Sequence, residues 1–118
     1  MNILLVEDDK DIREMLALFL TSMGHRPIRL KHGREALEAV WAHVDFDLVV
    51  CDLLMPEMDG YELIGHLRDI GCVLPIIVVT GIDDSSSVKG ADVVLQKPIR
   101  KHALSAAITR VCAARHIA

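Results

Sequence analysis

Five polar residues stand where apolar runs end, and their side-chain types suit one kind of chemistry. Glu7 and Asp8 follow Ile3 to Val6, Asp52 follows Leu48 to Cys51, Thr80 follows Pro75 to Val79, and Lys97 comes shortly after Val93 to Leu95. Carboxylates brought close together repel and raise one another's pKa unless a cation sits among them. Oxygen ligands of this kind suit Mg²⁺, which keeps several waters and binds through one or two carboxylates plus phosphate oxygens. Lys97 offers phosphate oxygens a point charge and Thr80 offers a hydrogen-bond donor. The set has the composition of a phosphoryl-transfer site with a carboxylate nucleophile.

Such residues meet only if the runs before them are neighbouring strands. The stretch Phe46 to Gly60 shows how this is arranged. Leu48, Val49, Val50 and Cys51 form an unbroken apolar run, as expected of a strand covered on both faces in a parallel sheet. Met55-Pro56 breaks the chain after Asp52. Asp59 then stands as the N-cap of a helix, with Glu62 three residues on and Met58 and Leu63 spaced for a hydrophobic staple. A strand thus delivers a carboxylate to the loop edge where open α/β sheets bind ligands.

The rest of the chain alternates in the same way. Ile3 to Val6 predicts a first strand, and Lys10 to Met23 a helix with Ile12, Met15, Leu16, Phe19, Leu20 and Met23 at helical spacing and Gly24 as its stop. His25 to Leu30 contains Pro27, which places this weak strand at a sheet edge. A second helix runs from Arg34 to His43, opened by Gly33, with Ala36, Leu37 and Val40 inward; the third ends near Ile70 before Gly71. Pro75 to Val79 and Val93 to Leu95 are the last strands, and a helix from Ile99 to Arg115 follows, with Pro98 at its first turn. Alternation of this kind implies right-handed βαβ units, a parallel sheet and helices on both faces.

Composition excludes several functions. At 118 residues and 52% hydrophobic, the chain is expected to form one domain spanning residues 1–118. Aromatic residues are 3%, so aliphatic side chains must build the core. A net charge of −4 with no basic cluster argues against nucleic acid and anionic membrane as partners. Cys51, Cys72 and Cys112 are odd in number and lack CxxC spacing, which suggests reduced thiols filling the core of a cytoplasmic protein. Six histidines show no metal-ligand spacing and read as surface or helix-face residues, and Trp41 and Tyr61 as partly buried helix residues. The opening apolar run is too short for a signal peptide or a membrane span.

Taken together, Glu7-Asp8, Asp52 with Met55-Pro56 and Met58-Asp59-Gly60, Thr80, and Lys97-Pro98 resemble the receiver domain of two-component response regulators. The separation 52 − 8 = 44 is similar to that family's spacing, and the likeness covers essentially the whole chain. The resemblance implies a flavodoxin-like (CheY-like) α/β fold, a five-stranded parallel sheet in order 2-1-3-4-5. It implies that Asp52 accepts a phosphoryl group from a histidine kinase or histidine phosphotransfer protein and that the domain signals to a downstream protein. Asp8 and Asp52 would ligate Mg²⁺, Glu7 through water, with the Leu54 backbone carbonyl as a further ligand. Lys97 would pair with the phosphoryl oxygens, Thr80 would move to bond one of them, and the Lys97-Pro98 peptide would be cis. The first helix would meet the phosphodonor. A phosphoacceptor of this kind assists its own chemistry and is not a classical enzyme.

Departures from the family pattern carry information of their own. Val94 stands three residues before Lys97, where receivers usually carry the aromatic that rotates on phosphorylation. The connection from Thr80 to Lys97 is short, 97 − 80 = 17, and Gly81 to Gly90 has turn chemistry without a helical stripe. The fourth of five helices is therefore expected to be short or irregular, as in a receiver subgroup with a reduced fourth helix and no switch aromatic. Leu54 and Ile82, each two residues past a site residue, would flank an attacking water with apolar groups and prolong the phosphate's life. Asp9 reads as the cap of the first helix. A flavin carrier is disfavoured by the acidic loop after the first strand, where phosphate recognition wants a Ser/Thr/Gly nest. A haloacid-dehalogenase-type phosphatase would need a second aspartate at Leu54. An interaction module that has lost phosphorylation is the remaining rival.

Overall fold

The computed structural model describes residues 1–42, 45–81 and 88–115. Strands β1 (Asn2–Val6), β2 (Arg26–Leu30), β3 (Leu48–Asp52), β4 (Ile76–Thr80) and β5 (Val93–Gln96) alternate with helices α1 (Lys10–Ser22), α2 (Gly33–Trp41), α3 (Gly60–Asp69) and α4 (Lys101–Arg115). All strand pairs are parallel, in the order β2-β1-β3-β4-β5. This is the expected sheet, with the Pro27 strand at one edge.

Odd and even strand residues go to opposite faces, which splits the core in two. Ile3, Leu5, Leu48, Val50, Ile77 and Val79 pack with Leu16 and Leu20 of α1 and Leu104 and Ile108 of α4. Leu4, Val6, Val49, Cys51, Ile76 and Val78 pack with Ala36 of α2 and Leu63, Ile64 and Leu67 of α3. Because both faces of β1, β3 and β4 are covered, their sequences carry no polar alternation. In β5, Val93 and Leu95 meet the first cluster and Val94 the second.

Local chemistry sets the helix ends. Asp9 caps α1 by accepting from the Ile12 amide at 3.1 Å, and Asp59 caps α3 by accepting from the Glu62 amide at 2.8 Å. Gly24, at φ +88°, takes the left-handed turn that ends α1. The last helix begins at Lys101 and not at Ile99, because its first turn closes on the Arg100 carbonyl through the Leu104 amide and Ile99 is buried in the first cluster. Pro98 therefore lies ahead of the helix. The Lys97-Pro98 peptide is cis.

Three side-chain expectations need correction. Met15 is exposed on α1, and the buried positions of that helix are Arg13, Leu16, Ala17 and Leu20. Trp41 and Tyr61 are exposed, at 69% and 49%, because each sits on the outer side of its helix. His25 and His32 are partly buried and lie outside the helices; His66 and His102 are exposed helix residues. The short fourth helix is expected within Gly81 to Gly90, of which residues 82–87, Ile82 among them, lie outside the described residues, as do His43 and His116. Val88 to Ala91 form a turn closed by the Ala91 amide on the Val88 carbonyl.

Candidate functional site

Sheet register explains why the polar residues meet. Val6 pairs with Cys51, so Glu7 and Asp52 leave their strands at the same level; Asp52 pairs with Val79, and Thr80 with Gln96. One more residue on each strand brings Glu7, Asp52, Thr80 and Lys97 to a single rim. The Lys97 amide extends the ladder by donating to the Thr80 carbonyl at 2.7 Å.

Glu7, Asp8 and Asp52 each offer a carboxylate oxygen, and the three lie within 4.8 Å of one another. Glu7 and Thr80 are fully buried, Asp52 is nearly so, and Asp8 is exposed. The Lys97 ammonium lies 2.8 Å from Glu7 Oε1 and donates to Asp52 Oδ2 at 2.9 Å. Asp52 Oδ1 accepts from the Leu54 amide at 3.3 Å, while the Leu54 side chain is exposed. Glu7 Oε2 accepts from the Asp9 amide at 3.3 Å.

Electrostatics follow from this crowding. Burial pushes the Glu7 carboxyl up to about 7; contact with Lys97 opposes the shift and Asp52 adds to it. Burial alone would lower the Lys97 ammonium, but its contacts with Glu7 and Asp52 outweigh that and hold it above the ordinary lysine value. Cys51, buried one residue before Asp52, is pushed up to about 12 by burial and then by the two acids. Its thiol stays neutral.

The donor set fits a hard divalent cation. Three carboxylates gather where one lysine meets two of them, and Glu7 Oε1, although buried against that lysine, has no aligned hydrogen-bond donor. Oxygen-only donors of net negative charge are what Mg²⁺ takes. Asp9 lies beside this group with its carboxylate committed to the α1 cap.

Two contributors have roles that the sequence does not show: Gly60, which the sequence offers only as part of the Met58-Asp59-Gly60 motif, and Arg13. Gly60 packs so closely under the site that a Cβ there would fall against the Asp52 carbonyl oxygen and 2.7 Å from Leu53 Cα. Arg13 of α1, 9% exposed, donates from Nη1 to the Glu7 carbonyl at 2.9 Å and to the Asp8 carbonyl at 3.4 Å. Its signal was present as a charged residue on the 13-16-17-20 buried stripe.

A doubly covered parallel sheet with an acidic, lysine-bridged rim defines a class of phosphate-handling α/β domains. Residues 3–109 match the family model described as response regulator receiver domain. The chain belongs to that family, whose members are signalling domains of two-component systems. It is 31% identical over 103 residues to the Regulator of RpoS of Escherichia coli, covering 83% of this chain and 30% of that protein. It is 40% identical over 113 residues to the response regulator MprA of Mycobacterium leprae, covering 92% of this chain and 49% of that protein. The chain thus spans between about a third and a half of these curated relatives. The crystal structure of the response regulator protein TrrA of Thermotoga maritima, in complex with Mg(2+)-BeF, superposes with a TM-score of 0.83 at 30% identity, covering 92% of this chain and 96% of that one.

Proposed function

We propose that Asp52 is the phosphoacceptor of this domain, receiving its phosphoryl group from the phosphohistidine of a histidine kinase or histidine phosphotransfer protein. The observation that carries this reading is the Glu7, Asp8 and Asp52 group, with carboxylate oxygens within 4.8 Å of one another and Lys97 bridging two of them. Family membership and the Mg(2+)-BeF complex of the Thermotoga relative support it.

Asp8, Asp52 and the Leu54 carbonyl would hold Mg²⁺ directly, and Glu7 through water. Bound there, the ion would offset charge on the transferring phosphoryl oxygens. Asp52 Oδ forms the new P–O bond as the donor's P–N bond breaks, and the electron pair of that bond stays on the departing imidazole, which takes a proton from solvent. Lys97, already at Asp52 Oδ2, pairs with a phosphoryl oxygen, and the Thr80 hydroxyl bonds another. The burial of Asp52 and Thr80 limits the water that reaches the acyl phosphate.

On this reading the chain is a cytoplasmic phosphoacceptor that assists its own phosphorylation and dephosphorylation, and is not an enzyme that turns over an external substrate. Its output is a change of contacts with a downstream protein. Val94 cannot make the aromatic rotation, so that change takes another route.

Intact mass after incubation with Mg²⁺ and acetyl phosphate, beside Asp52→Asn, tests the assignment. A gain of one phosphoryl group by the parent alone is the expected result. No gain, with no binding of beryllofluoride, would replace this reading with that of an interaction module.

A further inference from the structure

We infer that Arg13 is a positioning residue for the cation, acting through the backbone of the Glu7-Asp8 loop. This rests on reading Glu7 and Asp8 as cation ligands. Arg13 lies on the buried stripe of α1 with Leu16, Ala17 and Leu20, where an aliphatic side chain would cover the core without desolvating a charge. Its Nη1 reaches two successive carbonyls, those of Glu7 at 2.9 Å and Asp8 at 3.4 Å.

The loop is held from three sides. The Glu7 amide donates to the Leu30 carbonyl at 3.0 Å, the Asp9 amide donates to Glu7 Oε2 at 3.3 Å, and Arg13 supplies the donor for the carbonyls. The bond to the Glu7 carbonyl is buried and the one to the Asp8 carbonyl partly so. Without Arg13 these carbonyls lose a charged donor, and the peptide units that aim Glu7 and Asp8 are freed to turn toward water.

Charge and position make opposite demands here, which allows them to be separated. As a mere positive charge near the acids, Arg13 opposes a divalent cation, so its removal would strengthen Mg²⁺ binding. As the anchor of the loop, it keeps the ligands preorganised, so its removal weakens binding. Loss of a group that orients metal ligands costs about 10–100-fold in affinity. The bonds to two carbonyls favour the second effect.

The test is calorimetric titration of Mg²⁺ alone into the parent, Arg13→Met and Arg13→Lys, each below its melting temperature in metal-free buffer. Arg13→Met is expected to bind about tenfold more weakly, and Arg13→Lys, which keeps a charged donor, to recover most of that loss. Binding by Arg13→Met as tight as the parent's or tighter would overturn the inference, as would a lower melting temperature with unchanged affinity. Should Arg13→Met fail to fold, Arg13→Gln replaces it, again with weaker binding expected and equal binding contrary. If the parent binds Mg²⁺ but Asp52 gains no phosphoryl group, the functional reading fails while the order of affinities still decides the role of Arg13.

Discussion

The Lys97 ammonium donates to Asp52 at 2.9 Å while lying 2.8 Å from Glu7, so one side chain bridges two buried acids that come from different strands. Replacing Lys97 by Met leaves these acids facing each other. Removing one partner of a buried pair costs about 3–5 kcal/mol, and partial exposure of Lys97 brings the expected loss to about 1–3 kcal/mol in metal-free protein at pH 8. At pH 6 Glu7 takes up a proton and the loss shrinks. Urea unfolding of parent and variant at the two pH values checks this; equal losses at both would contradict it.

Glu7 by itself makes the metal-free protein sensitive to pH. Its carboxyl is raised from 4.5 to about 7 by burial, so the folded state favours the protonated form more than the unfolded state does. The stability this contributes is complete below pH 4.5 and is lost as pH rises through 7. Mg²⁺ competes with that proton, so its affinity should increase between about pH 6 and 8, with proton release on binding. Glu7→Gln should flatten both dependences relative to the parent. A variant that kept the parent's slopes would place the titration elsewhere.

Gly60→Ala should be costly although glycine is a poor residue inside a helix. The added methyl would strike the Asp52 carbonyl and Leu53 Cα, both main-chain atoms on a buried strand end. Overpacking of this kind costs about 1–3 kcal/mol, and relief requires shifting Asp52. The expected result is a lower urea midpoint together with slower phosphorylation from acetyl phosphate. A variant as stable and as fast as the parent would show that the strand end yields easily.

Leu54 is exposed, and its amide is bonded to the Asp52 carboxylate. If apolar groups at Leu54 and Ile82 leave an attacking water unoriented, Leu54→Asn with Ile82→Glu should speed loss of phosphate from Asp52. An oriented water that lowers the barrier by 1.4 kcal/mol gives roughly a tenfold rate. Decay followed by mass after removal of the phosphodonor measures it, and unchanged decay would remove the idea.

Much of the architecture could be read from the chain because parallel strands covered on both faces leave an unmistakable record. Runs such as Leu48 to Cys51 and Ile76 to Val79 are apolar throughout, and the polar residue that follows each marks the rim. Side-chain direction was harder to read. On α1, the stripe of Ile12, Leu16, Phe19, Leu20 and Met23 does pack on the core, but Met15 at its margin is exposed while Arg13 and Ala17 at the other margin are buried, and only packing decides where the edge of the face falls. A charge such as that of Arg13 usually signals solvent, whereas here it is buried against two carbonyl oxygens that no sequence pattern announces. Trp41 and Tyr61 are exposed for the complementary reason: aromatic bulk predicts burial on average and says nothing of which side of a particular helix carries it.

The burial of Cys51 gives the domain an internal clock. A thiol that is fully covered and held near 12 has neither access nor thiolate for an alkylating reagent. Modification must wait for α2 and α3 to lift from that face of β3, whereas Cys72 and Cys112 are partly accessible without it. The rate at which Cys51 is alkylated therefore reports how often the helix layer over the Asp52 strand opens, and it does so from inside the protein without any added label.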